Sequence, residues 1–406
     1  MDTFEDLKLS DTVAKAIKGM GFTKPTIIQE KSINHIVNGK DVIGESATGS
    51  GKTLAFGTGI LEHVVQGKGL QALVLTPTRE LADQVKDVIK QMCFIKKLKV
   101  IVIYGGVAMN PQIDALETAD VVIATPGRLL DHHRSRTIDL SRIKVLVLDE
   151  ADRMFDMGFI DDVEKIIHSC PKKRQTLFFS ATILQSVRDL ASKHMCDPIM
   201  IAGTRMVDPK KLEQVYYNVP RNLKLSLLIH LLKKEERDLV MVFCNTRRIT
   251  DVVVANLKAN DVKAIAIHGG LAQNKRSKTM EMFNNAKFKV LVCTDVAARG
   301  LDIDEVSHIY NYDLPMDPTD YVHRIGRTAR AGEKGKVINL LSDVDHGSFA
   351  RILEEHRYEI KVEKRPYLEM LNTIKAPSES RNGQRSGGYR GGQRRGPPRR
   401  GYSRNS

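Results

Sequence analysis

Residues 46–53 read Ser-Ala-Thr-Gly-Ser-Gly-Lys-Thr, and residues 149–152 read Asp-Glu-Ala-Asp. In the first stretch Gly49, Ser50 and Gly51 let backbone N–H groups approach phosphate oxygens closely, and Ser46, Ala47 and Thr48 complete the loop. Lys52 offers a cation to β- and γ-phosphates, and the Thr53 hydroxyl suits a Mg²⁺ ion. A helix beginning there adds a favourable partial positive charge at its N-terminus. The second stretch closes the aliphatic run Val145-Leu146-Val147-Leu148, which places the acids at the tip of a buried strand. Asp149 suits Mg²⁺ through water, and Glu150 suits the base that activates or orients an attacking water. Either motif alone has a bland explanation, a glycine turn or an acidic helix cap. The pair, about a hundred residues apart, reads as a nucleoside-triphosphate site.

These side chains need a scaffold, and the chain supplies two. Apolar runs at Ala72–Thr76, Val100–Tyr104, Val121–Ala124, Val145–Leu148 and Thr176–Phe179 are separated by helix-length amphipathic segments. The rhythm returns with Leu239–Phe243, Ala264–Ile267, Val290–Cys293, His308–Asn311 and Val337–Leu341. Strands that are apolar throughout, with helices between them, predict parallel sheets covered on both faces. Two such blocks predict two α/β domains, 1–203 and 213–368, joined by a linker at 204–212 where Gly203 and Pro209 break the pattern. Only the first block carries a phosphate loop, so if the second contributes to catalysis it must do so from across an interface.

Composition agrees with this division. A chain of 406 residues with 42% hydrophobic content is long enough for two cores. From Lys375 onward there are eight Arg, one Lys and one acid, so the segment holds +8 of the net +14 and leaves only +6 for the rest. Residues 375–406 hold Gly, Arg, Ser, Gln and Pro but almost no aliphatics and should be disordered, the core of an expected Arg/Gly-rich tail over 369–406. Its arginines, with Tyr389 and Tyr402, suit phosphates and stacked bases. The five cysteines are scattered and odd in number, without metal-ligand spacing. No apolar h-region or membrane-length run is visible, and the expectation is a cytoplasmic protein without a membrane partner.

Further motifs follow in order: Gly21-Phe22-Thr23-Lys24-Pro25-Thr26-Ile27-Ile28-Gln29, Pro77-Thr78-Arg79-Glu80-Leu81, Gly105-Gly106, Thr125-Pro126-Gly127-Arg128 and Ser180-Ala181-Thr182. The second block adds Val242-Phe243-Cys244-Asn245-Thr246, Gln273-Asn274-Lys275-Arg276, Thr294 through Asp302, and His323-Arg324-Ile325-Gly326-Arg327-Thr328-Ala329-Arg330. This ordered set resembles the DEAD-box RNA helicases of helicase superfamily 2, from about Phe4 to about Leu368. The resemblance implies two tandem RecA-like domains that use ATP and Mg²⁺.

It also implies roles. Phe22 would stack on adenine and Gln29 would read its edge, while Asp302 would reach the ribose. Lys52, Asp149, Glu150, Arg327 and Arg330 would be catalytic, the last two as arginine fingers. Asp152, Ser180, Thr182 and His323 would couple hydrolysis to closure. Pro77, Thr78, Arg79, Gly105, Gly106, Thr125, Pro126, Gly127 and Arg128 would track an RNA backbone from domain one. Thr246, Gln273, Arg276, Thr294, Asp295 and Arg299 would do so, or support those that do, from domain two. The implied partner is RNA, single-stranded and duplex, without sequence preference, with ribonucleoprotein partners possible in principle and the oligomeric state open. Three positions depart from the commonest pattern: Ser46 for Ala, Ala329 for Gly, and His268-Gly269-Gly270 for an acidic ending. An ATP-gated RNA clamp and an RNA annealing chaperone are the competing classes, with a DNA helicase behind them.

Overall fold

Alternation along each strand builds two faces from one apolar run. In the computed structural model, Val145 and Val147 turn to one side of the first sheet, and Leu146 and Leu148 to the other. Both sides are buried because helices cover both. The structure describes residues 3–7, 9–46, 49–203, 212–234, 238–298, 303, 306–329, 334–356, 358–371 and 374.

The first sheet contains β1 (Val42–Glu45), β2 (Ala72–Leu75), β3 (Val100–Ile103), β4 (Val121–Ala124), β5 (Val145–Asp149), β6 (Gln175–Ser180) and β7 (Ile199–Ala202). All its pairings are parallel, in the order β3-β4-β2-β5-β6-β1-β7. The second sheet contains β8 (Leu212–Asn218), β9 (Leu239–Phe243), β10 (Ala264–Ile267), β11 (Val290–Cys293), β12 (Val306–Asn311), β13 (Gly335–Leu341) and β14 (Lys361–Val362). Its order, β10-β11-β9-β12-β13-β8-β14, repeats that of the first, again all parallel. The expected pair of tandem RecA-like α/β sheets is what the chain forms.

Four strands are invisible to the apolar-run reading: β1, β7, β8 and β14. β1 is only Val-Ile-Gly-Glu, too short and too mixed to stand out. Its glycine is a packing requirement, since a Cβ at Gly44 would come within 2.6 Å of the Phe179 ring. Phe179 in turn packs on Phe56 with centroids 5.6 Å apart and is fully buried. Phe179→Ala would cost about 3–5 kcal/mol. Leu212, placed in the linker by sequence, opens β8; residues 204–211 lie outside the described residues.

The tail boundary also moves. Leu368 and Leu371 pack against the second core, and Asn256 clips Ile374 with two hydrogen bonds, accepting from its N–H at 2.8 Å and donating to its carbonyl at 2.9 Å. The fold therefore extends at least to Ile374, past the expected break at 369. Residues 375–406 lie outside the described residues. Among the described residues no helix is long and apolar enough to cross a membrane.

Candidate active site between the two sheets

Parallel strands send every connection of one kind to the same edge, and all the motif loops of domain one sit at the carboxyl ends of its strands. Strand order then sorts them. β1, β5 and β6 are neighbours, which brings the loop after Glu45, the acids from Asp149 onward and Ser180 together. β3, β4 and β2 form the other half, and their loops carry Gly105, Thr125 and Pro77.

The phosphate loop leads into the helix Lys52–His63. Gly51 caps it at φ 88°, with no side-chain hydrogen bond to the first turn, so the leading N–H groups are open to an anion. A Cβ at Gly51 would come within 2.2 Å of Gln29 Nε2, so only glycine fits. Lys52 is 5% exposed and donates to the Ser46 carbonyl at 3.0 Å. The Ser46 hydroxyl donates to that of Ser50, a bond the usual alanine could not make. Gln29 Oε1 accepts from Thr26 N at 2.9 Å, and its Nε2 donates to the Gly51 carbonyl at 3.0 Å. That uses one donor and one acceptor of the amide, leaving one of each for a base edge. Phe22 nearby in sequence is 46% exposed, a face ready for stacking. Ala47, Thr48 and Asp302 lie outside the described residues.

Asp149 and Glu150 are each 2% exposed and Asp152 is fully buried, yet their protonation differs. Burial pushes the Asp149 carboxyl up to about 6, only partly countered by Lys52. Burial also pushes Glu150 upward, but the Arg153, Lys52 and Arg327 charges outweigh it and hold Glu150 below its ordinary value. Asp152 is likewise held well below, with His323, Arg153 and Lys52 overcoming its burial. Glu150 sits at φ 53°, a left-handed conformation in a non-glycine residue, which is local strain at the place where chemistry is expected. Its Oε2 accepts from Arg153 at 2.8 Å, with both side chains almost fully buried. Arg153 went unremarked in the sequence, although its i,i+3 spacing from Glu150 was a usable signal. The buried Asp149 carboxylate and the Thr53 hydroxyl, which opens the helix after the phosphate loop, both offer oxygen donors, a chemistry that fits Mg²⁺ completed by phosphate oxygens and water.

Asp152 gathers the coupling residues. Its N–H donates to Ser180 Oγ at 3.1 Å, and its Oδ2 accepts from Thr182 N and Oγ1 at 2.9 and 3.0 Å. From domain two, His323 Nε2 lies 3.7 Å from the same oxygen, an ion-pair distance too long for a hydrogen bond. Arg327 is 2% exposed and its charge bears on Glu150. Arg330 lies outside the described residues. Ala329 adopts φ 54°, the left-handed conformation that the more usual glycine accepts without strain.

Arg324, not singled out beforehand, is a hub. It is 1% exposed, clasps Asp295 at 2.6 and 2.7 Å, and donates to Asn311 Oδ1, the Asp313 carbonyl and Asn245 Oδ1. This ties the helix Pro318–Ile325 to the loops after β9, β11 and β12. The Asp295 carboxylate is thus taken up by Arg324, the position of a supporting residue for the loop after β11.

On the other half of the cleft the motif residues cap helices. Thr78 accepts from Leu81 N and Thr246 from Ile249 N, while the Thr125 and Thr294 carbonyls accept from the first turns of their helices. A Cβ on Gly106 would overlap the Arg79 guanidinium, so those two motifs touch. Arg128 donates twice to the Val107 carbonyl, at 3.1 Å each. Pro77 and Pro126 are buried, while Gly105 and Gly127 lie half-buried at the same edge. Gln273 donates to Glu80 Oε1 at 3.1 Å, and Arg276 Nε lies 2.9 Å from the same atom. Arg276 therefore bridges the domains and also donates to the Ala297 carbonyl at 3.4 Å. Nothing in the Pro77–Leu81 motif itself marks Glu80 for the Arg276 contact. Arg299 lies outside the described residues.

Comparisons with known proteins agree with this geometry. Residues 26–190 match the family model of the DEAD/DEAH box helicase, and residues 223–332 that of the helicase conserved C-terminal domain. The chain is 42% identical over 373 residues, 91% of its length and 80% of the relative's, to the DEAD-box ATP-dependent RNA helicase CshA of Geobacillus kaustophilus. It is 42% identical to the ATP-dependent RNA helicase CshA of Listeria monocytogenes, covering 87% of this chain and 69% of that protein. Among solved structures, S. cerevisiae Dbp5 bound to RNA and ADP BeF3 superposes with a TM-score of 0.81 at 32% identity, over 89% of this chain and 96% of that one. A DEAD box protein from Methanococcus jannaschii, 42% identical and covering 90% and 99%, superposes less well, at 0.54.

Proposed function

The chain belongs to the DEAD/DEAH box helicase family, and from that premise we propose how its residues carry out the work of an RNA-stimulated ATPase, an ATP-dependent RNA helicase. ATP binds between the domains, its phosphates on the Gly49–Thr53 loop and its adenine against Phe22 and Gln29. Thr53 and Asp149 would hold Mg²⁺, which would screen phosphate charge. Glu150, held ionised by the surrounding cations, orients or deprotonates the attacking water once its pairing with Arg153 loosens. Arg327, with Arg330, stabilises the charge that develops on the transferred phosphoryl group, a contribution of roughly 10³–10⁵ in rate in comparable systems.

RNA backbone lies across the loops of β2, β3 and β4 in domain one and of β9, β10 and β11 in domain two. Only when both lobes grip it do His323 and Arg327 meet Asp152 and Glu150, so hydrolysis waits for RNA. Bending of the bound strand separates duplexes locally, without sequence preference, because the contacts are to backbone and 2′-OH. The basic tail adds non-specific RNA affinity, and the site of action is cytoplasmic.

The observation that carries this reading is that domain-two side chains reach domain-one acids, with His323 3.7 Å from Asp152 and the Arg327 charge acting on Glu150. The buried Glu150–Arg153 pair favours slow basal turnover, which also suits an RNA clamp. A steady-state ATPase assay with and without RNA on wild type and Glu150→Gln tests the proposal. RNA stimulation in the wild type, and turnover reduced at least 100-fold in the variant with RNA binding retained, is expected. Undiminished turnover in the variant refutes the assignment of Glu150.

A further inference from the structure

We propose that the back of domain two carries a second RNA-phosphate surface, a lysine-lined groove beside the point where the basic C-terminal segment leaves the fold. This rests in part on the reading that the tail binds RNA. The groove, about 990 Å³ in volume, is walled by Lys233, Lys263, Lys287 and Lys289, with Asp238 and Asp261. Lys263 and Lys289 immediately precede β10 and β11, so the groove opens at the amino ends of those strands. Thr246, Gln273 and Thr294 sit at the opposite edge, about 15 Å away along strands of four or five residues. The groove is thus separate from the catalytic cleft.

Its charge is unspent. Among the described residues none of the four ammonium groups makes an ion pair or hydrogen bond, whereas the buried Lys224 meets Asp345 at 2.8 Å and Asp313 at 3.8 Å. Helix ends explain only part of the cluster. Lys233 lies in the last turn of Lys224–Lys234, where a cation complements the dipole, but Lys263, Lys287 and Lys289 lie beyond the ends of their helices.

The exit of the tail identifies the occupant. Asn256 holds both backbone polar groups of Ile374. Asp261 of the groove wall follows only five residues later, roughly 8 Å on at helical rise. The described chain thus ends close to a groove with four lysines and two aspartates, and the sequence after Ile374 carries Lys375 and eight arginines. Like charges this close in the chain repel, and a polyanion bound in the groove relieves that. A nucleic-acid backbone fits better than an acidic protein, because Tyr389 and Tyr402 in the tail offer stacking faces to bases. The groove then holds the flank of an RNA whose single strand occupies the cleft.

The test is Lys263→Gln/Lys287→Gln/Lys289→Gln in the full chain, with Lys→Arg at the same positions as the charge-preserving control. The probes are a hairpin with a single-stranded extension and a ten-nucleotide single strand. Loss of three phosphate contacts predicts hairpin affinity weakened about tenfold and a salt slope shallower by about 2 to 3. Decamer affinity and RNA-saturated kcat stay unchanged, and the Arg variant behaves as wild type. Unchanged hairpin affinity in the Gln variant overturns the proposal. So does loss of binding to poly-glutamate with RNA binding intact, which would assign the groove to an acidic protein. A chain ending at Ile374 separates the two readings. If truncation weakens hairpin binding and the Gln variant does not, the tail reading stands and the groove falls. If only the Gln variant weakens it, the groove stands and the tail reading falls.

Discussion

Glu80→Gln should weaken RNA-dependent closure, although it removes a negative charge from the RNA side of the cleft. Glu80 Oε1 receives Gln273 Nε2 at 3.1 Å and Arg276 Nε at 2.9 Å, with side-chain exposures of 16% and 12% for the ion pair. At an effective dielectric near 20 the Coulomb attraction at that distance is roughly 6 kcal/mol. Desolvation and side-chain ordering cancel most of it, and a charge-assisted contact of this kind nets about 1.5 kcal/mol. That is about a tenfold shift in the closing equilibrium. The RNA concentration for half-maximal ATPase should rise about tenfold in Glu80→Gln, and by a similar factor in Arg276→Gln. The double variant should be little worse than either, giving a coupling energy of about 1 kcal/mol. The sign is the sharp part. Were Glu80 only an acid near phosphates, neutralising it would tighten RNA binding. Tighter binding, or costs that add within about 0.4 kcal/mol, refutes the clamp.

Two other outcomes follow from local strain and burial. Ala329→Gly relieves a left-handed alanine at φ 54°. The relief of about 1–2 kcal/mol exceeds the entropy cost of glycine in the unfolded chain, so the unfolding transition of domain two in urea should move to higher denaturant by about 0.5–1 kcal/mol; destabilisation would contradict the backbone geometry. Asp149→Asn should abolish RNA-stimulated ATPase and yet raise the melting temperature. The native carboxyl titrates near 6 against 3.8 when unexposed to the fold. Between those values the native state binds more protons than the unfolded state, so wild-type stability falls as pH rises through that window. The advantage of the Asn variant, on the order of 2 kcal/mol, should be full above pH 6.5 and absent below pH 4, as read from thermal melts across pH. An advantage independent of pH, or none, would mean that burial does not act on Asp149 as described.

Much of the scaffold was legible because its signal is local. Val145 to Leu148 announce a strand buried on both faces, and Asp149 ends it. β1 was missed because four residues with a glycine carry no periodicity, although the phosphate loop that follows it requires a strand there. β8 was missed because Leu-Glu-Gln-Val-Tyr-Tyr-Asn mixes polar and apolar side chains, and its burial comes from lying between β13 and β14. The roles of charged residues were less legible still. Asp295 and Glu80 are acids in RNA-side motifs, and nothing nearby in sequence tells that one is spent on Arg324, 29 residues on, and the other on Arg276.

By itself the sequence determined the local chemistry: glycines where the backbone must approach phosphates, oxygen ligands where a hard cation belongs, and apolar runs that must pair as parallel strands. Tertiary structure alone decided which of these meet. The chain makes its strands as β1 to β6, but the sheet arranges them as β3-β4-β2-β5-β6-β1, so the loops after β1, β5 and β6 gather at one half of the edge and those after β2, β3 and β4 at the other. That sorting, and the cations that set the charge of each buried acid, depend on contacts between residues far apart in sequence. Hydrophobic burial fixes those contacts only when both faces of each sheet are covered.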